Sequence, residues 1–230
     1  MKTVFDVIAP SYLLEDEHWG CDLDVVVQAI HPFLPRFAYA DLGCGPGFHV
    51  ATIAHWFPEA SVTGVDYSFA MLAEAEREVR CSGLRNVALV QANILGFKTI
   101  RRYHVVSCLN NTLGNVRACG KSSAAVREET TRAMHALLVS GGTLVASVYN
   151  LEKFSQRYGE NFRVLPQSDV KRGELFVEYM PREVEPVQYY SHWFTESEFV
   201  RLLKQNGFKI ELLEKRLARL VVIATAIQPL

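Results

Sequence analysis

The sequence lacks the marks of several common function classes. Its five cysteines, Cys21, Cys44, Cys81, Cys108 and Cys119, are scattered and form no C-x-x-C pair. An odd number of scattered thiols argues against a disulfide framework and for a reducing compartment. Neither sign of charge dominates: 24 Lys and Arg against 25 Asp and Glu leave a net charge of −1. That balance gives no footprint for a nucleic-acid groove, and no nucleic acid is expected as a partner. No run approaches the length of a membrane span, and the first residues lack the apolar core of a secretion signal. The expected location is therefore cytoplasmic, with no membrane partner.

Motifs of other chemistries are missing too. The seven histidines (His18, His31, His49, His55, His104, His135 and His192) show no ligand-like spacing with acids or thiols, so no metal is expected. There is no G-x-S-x-G, no P-loop lysine and no carboxylate pair with an evident mate. No internal repeat or low-complexity linker divides the 230 residues, which suit one domain with a cap.

Strands and helices alternate over most of the chain. Short apolar runs at 38–42, 61–65, 86–90, 103–108 and 143–148 read as strands buried on both faces. Between them, 48–57, 69–79 and 122–139 carry helical spacing, the last with Val126, Thr130, Ala133, Met134 and Leu137 on one stripe and Gly141-Gly142 as its stop. Ahead of them, the apolar spacing of 23–33 suits a helix, and residues 1–35 read as a helical cap. Residues 150–193 break the alternation with β-rich runs and interleaved prolines, an antiparallel insertion over one edge or mouth of the sheet. Thr195 and Glu198 then form a capping box, and 208–213 and 217–225 form a final hairpin turned at Glu214-Lys215-Arg216. The fold class is α/β: a doubly wound, mostly parallel seven-stranded sheet with a C-terminal antiparallel strand and a small cap.

The chemistry begins at Asp41-Leu42-Gly43-Cys44-Gly45-Pro46-Gly47. Glycines at alternate positions allow positive φ and close backbone approach to a ligand. Their amides, with the next helix N-terminus, are expected to form a weakly positive mouth. The second strand ends at Asp66, whose carboxylate suits two neighbouring ribose hydroxyls. A dinucleotide motif would need a third glycine where Phe48 stands, and Asp41 is poor company for a pyrophosphate. An acid there suits a cationic ligand such as a sulfonium with an ammonium group. Cys44 reads as a small filler of the turn rather than a nucleophile.

Asp41 to Gly47 with Thr63-Gly64-Val65-Asp66 resembles the signature of class I S-adenosylmethionine-dependent methyltransferases, strongly over residues 37–149. The resemblance implies S-adenosyl-L-methionine as cofactor and a Rossmann-like methyltransferase fold. It places Gly43, Cys44, Gly45 and Gly47 along the donor, Asp41 at its aminoacyl end and Asp66 on its ribose. Tyr67 would flank the adenine, and Ala92, Asn93 and Ile94 would contact it, with Asn93 standing where many members have Asp. Cys108 and Asn110 fall where donor methyl and acceptor meet. Tyr12 resembles a tyrosine that closes over the donor, although Leu13 follows it where the family often has Asp.

The acceptor side is read more coarsely. The amide-rich run 110–115 is similar to a loop of amine and amino-acid methyltransferases, and Asn111 and Asn115 are substrate candidates with Trp19, Tyr149, Tyr158 and Trp193. Tyr189 and Asn150 are further aromatic and polar candidates on the insertion. Methyl transfer from a sulfonium can proceed largely through alignment of the reacting atoms. His192 and His18 are the candidates for a base, with Asn110 beside them as a catalytic candidate. The lack of a clear base tilts the expectation to a small-molecule acceptor methylated at nitrogen. Oxygen or carbon methylation and a non-catalytic donor-binding module stand as alternatives, and a homodimer is compatible with the sequence.

Overall fold

The computed structural model describes residues 4–12, 22–154, 161–180 and 185–227, the side chains of 10–12 excepted. Its centre is a seven-stranded sheet. Strands β1 (Ala38–Leu42), β2 (Ser61–Asp66), β3 (Val87–Gln91), β4 (Tyr103–Cys108) and β5 (Leu138–Tyr149) lie parallel, and β9 (Phe208–Arg216) and β10 (Arg219–Ala226) close the sheet. The strand order is β3-β2-β1-β4-β5-β10-β9, with β10 antiparallel to both neighbours. The order reverses between β1 and β4, which is the switch point where doubly wound sheets hold ligands beyond their strand ends. A fold of the expected class is thus present.

Two apolar layers explain why the central strands are buried on both faces. On one face Met134 and Leu137 of α6 (Ser123–Leu137) and Phe199 and Leu203 of α7 (Glu196–Gln205) pack on Leu42, Val106 and Leu144. On the other, Val26 and Ile30 of α2 (Leu23–Ile30) and Val50 and Ile53 of α3 (Phe48–Trp56) pack on Tyr39, Val62 and Val105. Side chains alternate across each strand, so both layers draw on the same β1 and β4 residues in turn.

Helix α4 (Phe69–Cys81) follows β2, with Ser68 Oγ accepting from the Met71 amide as its N-cap. Helix α1 (Val4–Tyr12) packs on it, Ile8 and Ala9 against Met71 and Tyr179. Asp6 ties the two together, because its Oδ1 accepts from Ser68 Oγ at 2.6 Å and the Ala70 amide at 3.1 Å. The carboxylate thereby meets orphan amides and the positive end of the helix dipole.

The segment after β5 forms a separate antiparallel sheet of β6 (Phe162–Val164), β7 (Glu174–Tyr179) and β8 (Val187–His192). Leu175, Val177 and Trp193 make a small core beneath it. Tyr158 lies outside the described residues, as do His18 and Trp19.

Two local expectations are corrected. Gly141-Gly142 does not stop α6. The helix ends at Leu137 with Leu138 already extended, and the glycine pair lies inside the twelve-residue β5. Pairing shifts there from Tyr103 with Leu138 to Val105 with Thr143, and Gly141 at φ +71 absorbs the irregularity. The final hairpin turns at Leu217-Ala218, not at Glu214-Lys215-Arg216, since Arg216 pairs with Arg219. The charged residues stay in edge strand β9 and reach outward instead, Arg216 to Asp24 and Lys215 to Glu196.

Candidate active site

A cavity of about 370 Å³ opens at the carboxyl ends of β1, β2 and β4. Its wall gathers Asp41, Gly43, Cys44, Gly45, Asp66, Tyr67, Ala92, Asn93 and Ile94 from the expected donor residues. Asn115 joins from the short helix α5 (Thr112–Asn115) and Asn110 from the turn ahead of it. Asn111 is the αL residue that opens this helix.

The turn after β1 works differently from the sequence expectation. Gly43 and Cys44 both donate to the Val65 carbonyl, Gly45 to Asp66 Oδ2, and Gly47 to the Cys44 carbonyl. Pro46 has no amide hydrogen. Every turn amide is therefore bonded within the protein, and the expected positive mouth is not offered at 43–47. Glycine is required for shape. At φ +77 a Cβ on Gly43 would fall 2.4 Å from Thr112 Cγ2, so the turn packs directly against α5. At φ +86 a Cβ on Gly47 would fall 2.7 Å from Ala75 Cβ; this residue starts α3 and does not line the cavity.

Two buried acids dominate the electrostatics of this end. Asp66 accepts from Gly45 at 2.9 Å and from the Ser68 amide at 2.9 Å, and the Tyr67 amide also acts on its carboxylate. Burial pushes its carboxyl above the usual range, against the pull of those amides. Asp41 is only 3% exposed, and burial likewise raises its carboxyl, opposed by the His49 ring and by Ser107. Ser107 Oγ donates to Asp41 Oδ1 at 2.7 Å. Asp41 has one hydroxyl donor and the His49 ring beside it, and a cationic ligand would further favour its charge. The donor set thus fits a sulfonium and ammonium ligand with a ribose, not a phosphate.

The neighbouring residues have mixed roles. Tyr67 is half exposed and meets Phe5 edge-on at 6.2 Å between ring centroids. Asn93 Oδ1 accepts from the Leu95 amide at 2.9 Å, so its oxygen is shared with a turn of its own backbone. Cys108 is fully buried in the core and off the wall, its thiol pushed up to about 12 by burial. Burial also holds the Cys44 thiol far above its ordinary range, which suits filler and not nucleophile. The side chain of Tyr12 is outside the described atoms.

On the acceptor side the amides divide. Asn111 is fully buried: its Oδ1 accepts from the Tyr149 amide at 3.0 Å and its Nδ2 donates to Ser191 Oγ at 3.0 Å. It joins β5 to β8 and does not line the cavity. Asn110, at φ +51, reaches the wall, and its Oδ1 accepts from Arg219 Nη1 at 3.1 Å. Tyr149 and Trp193 pack at a tilt with ring centroids 5.0 Å apart, away from the wall. Asn150 caps the turn that follows it.

His192 is also off the wall. Its Nε2 lies 2.9 Å from Glu198 Oε1, and its Nδ1 lies 3.1 Å from Glu174 Oε1, close but poorly aligned for a hydrogen bond. Arg127 completes the cluster, donating to Tyr190 Oη at 2.9 Å and Glu174 Oε1 at 3.1 Å. Burial depresses the imidazole, but the two glutamates raise it above its ordinary value. This is a buried ion cluster that carries the cap on α6 and α7.

Wall residues that sequence reasoning missed include His49, Thr112, Arg117, Gln188 and Tyr190. Tyr189 also reaches the wall, as the insertion reading anticipated. His49 could have been found from its place in the first turn of α3, two residues after the last glycine. Arg117 carried no signal, being one arginine in a loop.

Residues 40–142 match the family model described as a methyltransferase domain. Trans-aconitate 2-methyltransferase of Escherichia fergusonii is 47% identical over 55 residues, 24% of this chain and 20% of the relative. Malonyl-[acyl-carrier protein] O-methyltransferase of Legionella pneumophila is 50% identical over 38 residues, 16% of this chain and 13% of the relative. The chain thus spans about a fifth or less of these two curated relatives. Among solved structures, the CcbJ methyltransferase of Streptomyces caelestis superposes with a TM-score of 0.77 at 19% identity, covering 99% of each chain. The sugar N-methyltransferase KedS8 of Streptoalloteichus gives 0.66 at 19% identity, over 99% of this chain and 94% of that one. Residues 40–142 match a methyltransferase domain, and the chain as a whole shares the Rossmann-like fold of these solved methyltransferases.

Proposed function

We propose that the chain transfers a methyl group from S-adenosyl-L-methionine to a small-molecule acceptor. The observation that carries this reading is the pair of buried acids at adjacent strand ends, Asp41 and Asp66, on one cavity wall. The donor supplies an electrophilic methyl on a sulfonium that leaves as a neutral thioether. Asp41 would hold the cationic aminoacyl end, Asp66 the ribose hydroxyls, and Ala92 to Ile94 with Tyr67 the adenine.

Nitrogen is the first choice for the methylated atom, because the acceptor end offers no evident base. Among the described residues the one imidazole on the wall is His49, which stands beside Asp41 at the donor end. Tyr190 has its phenol pushed up to about 12, and its oxygen is engaged by Arg127 and Glu174. An unprotonated amine needs alignment and no base. A carboxylate oxygen is the second reading; it is ionised at neutral pH, and both sequence relatives above carry acids in their names.

Calorimetric titration with S-adenosylmethionine tests the donor half; no heat at millimolar donor sinks it. Release of S-adenosylhomocysteine with an acceptor separates an enzyme from a binding module. Alkali then sorts the two atoms, because a methyl ester is cleaved and an N-methyl group is not.

A further inference from the structure

Arg117 stands on the cavity wall and makes no ion pair among the described residues. Its guanidinium packs on two rings instead, 5.0 Å from the Tyr190 centroid and 5.5 Å from that of Phe176. Those contacts hold the guanidinium beside the two rings without using its N–H groups in an ion pair.

The neighbouring amides are oriented by partners that leave no choice. Arginine has no acceptor, so the Asn110 atom that meets Arg219 must be the oxygen. The Tyr149 amide is a donor, which fixes Asn111 Oδ1 and makes Asn111 Nδ2 the donor to Asn115 Oδ1 at 3.4 Å. Both wall amides therefore have their oxygens engaged, which leaves their NH2 groups as the donors they can give a ligand. Asp22, 3% exposed and 3.6 Å from Arg219 Nη2, holds the arginine that sets Asn110.

The cavity is polarised as a result. Carboxylates line the β1–β2 end, and N–H donors line the α5 end. Resting on the donor reading above, we infer that the acceptor carries a carboxylate, bound by Arg117 and the NH2 groups of Asn110 and Asn115. One guanidinium with two amides matches a single planar oxyanion in charge and geometry. The carboxylate is an anchor whether nitrogen or oxygen takes the methyl.

The test uses the full chain saturated with S-adenosylhomocysteine, titrated calorimetrically with aliphatic and aromatic mono- and dicarboxylates and the matched primary amides. The expected result is that acids bind and their amides do not. Arg117→Gln should weaken acid binding by about 10- to 100-fold and Arg117→Lys by less, with the homocysteine affinity unchanged in both. Asn110→Asp, which replaces a donor by a negative charge, should weaken the acid as well. Three outcomes overturn the inference: no acid in the set binds, amides bind as well as acids, or Arg117→Gln leaves acid binding intact. Absence of heat with S-adenosylhomocysteine itself would instead strike the donor reading beneath it, and that shows in the first titration.

Discussion

Ser107 gives its hydroxyl proton to Asp41 at 2.7 Å, so the 2.6 Å contact with Tyr39 has the tyrosine as donor. The relay points one way, from the core towards the carboxylate, and it is the structural support of a charge that burial opposes. Asp41→Asn removes that charge and keeps an oxygen for Ser107. Because burial raises the folded carboxyl above its ordinary 3.8, the cost of ionisation is absent below that value and complete above the raised one. The variant should therefore melt higher than wild type without donor, by more at pH 7.5 than at pH 4.5. Its affinity for S-adenosylhomocysteine should fall about tenfold or more. Equal melting shifts at both pH values, or unchanged affinity, would contradict this role.

The glycines should separate stability from binding. Gly47→Ala forces a Cβ against Ala75 at φ +86 and should cost about 2 kcal/mol or more in urea unfolding. Gly45 has φ +53 but open space about its Cα, so Gly45→Ala should cost about 1 kcal/mol. Its new methyl enters the cavity, and donor affinity should suffer more than stability does. The reverse ranking would mean that the turn does not face the donor.

His192→Gln tests a structural imidazole against a catalytic one. The two glutamates raise the folded group above 6.5, so its contribution is full below that value and lost as pH rises through the raised one. Melting curves from pH 6 to pH 9 should show the variant less stable at pH 6, with the gap narrowing in alkali. Glu174, held down to about 2 chiefly by His192 and Tyr190 against its own burial, extends the cluster's stability well into acid. Homocysteine affinity should not change. A gap that widens with pH would remove the ion cluster from the account.

Asn111→Ala leaves the Tyr149 amide and Ser191 hydroxyl without their partner in a buried place. The expected loss is about 2–3 kcal/mol in chemical denaturation. Since Asn111 also orients Asn115, acceptor KM should rise while donor affinity holds. Equal losses on both sides would make the effect one of general loosening.

The donor side was legible because its chemistry is local in sequence. Five residues after a buried strand and one acid after the next were enough to place Asp41, Gly43, Gly45 and Asp66 on one wall. The parallel strands were equally plain, since burial on both faces leaves uninterrupted apolar runs such as Val105-Val106. The acceptor side joins residues far apart in sequence: Asn110 is set by Arg219, and Arg127 in an apolar stripe answers Glu174 across the cap. Single charged residues carry no periodic signal, so Arg117 and Arg127 passed unnoticed. Histidine was misjudged for the opposite reason. His192 looked free to act as a base, but both of its ring nitrogens face glutamates.

The excursion from residue 151 to 193 leaves and re-enters the main sheet at one place. Leu151 donates to the Phe194 carbonyl and Phe194 to the Tyr149 carbonyl, each at 2.9 Å, with Asn150 bridged to Phe194. A segment whose two ends are stapled together adds little loop-closure entropy to the rest of the fold as its length changes. It can be lengthened, shortened or exchanged while the strand ends bearing Asp41 and Asp66 keep their register. On the proposed function, this arrangement would let acceptor preference change while the strand ends that hold the methyl donor stay as they are.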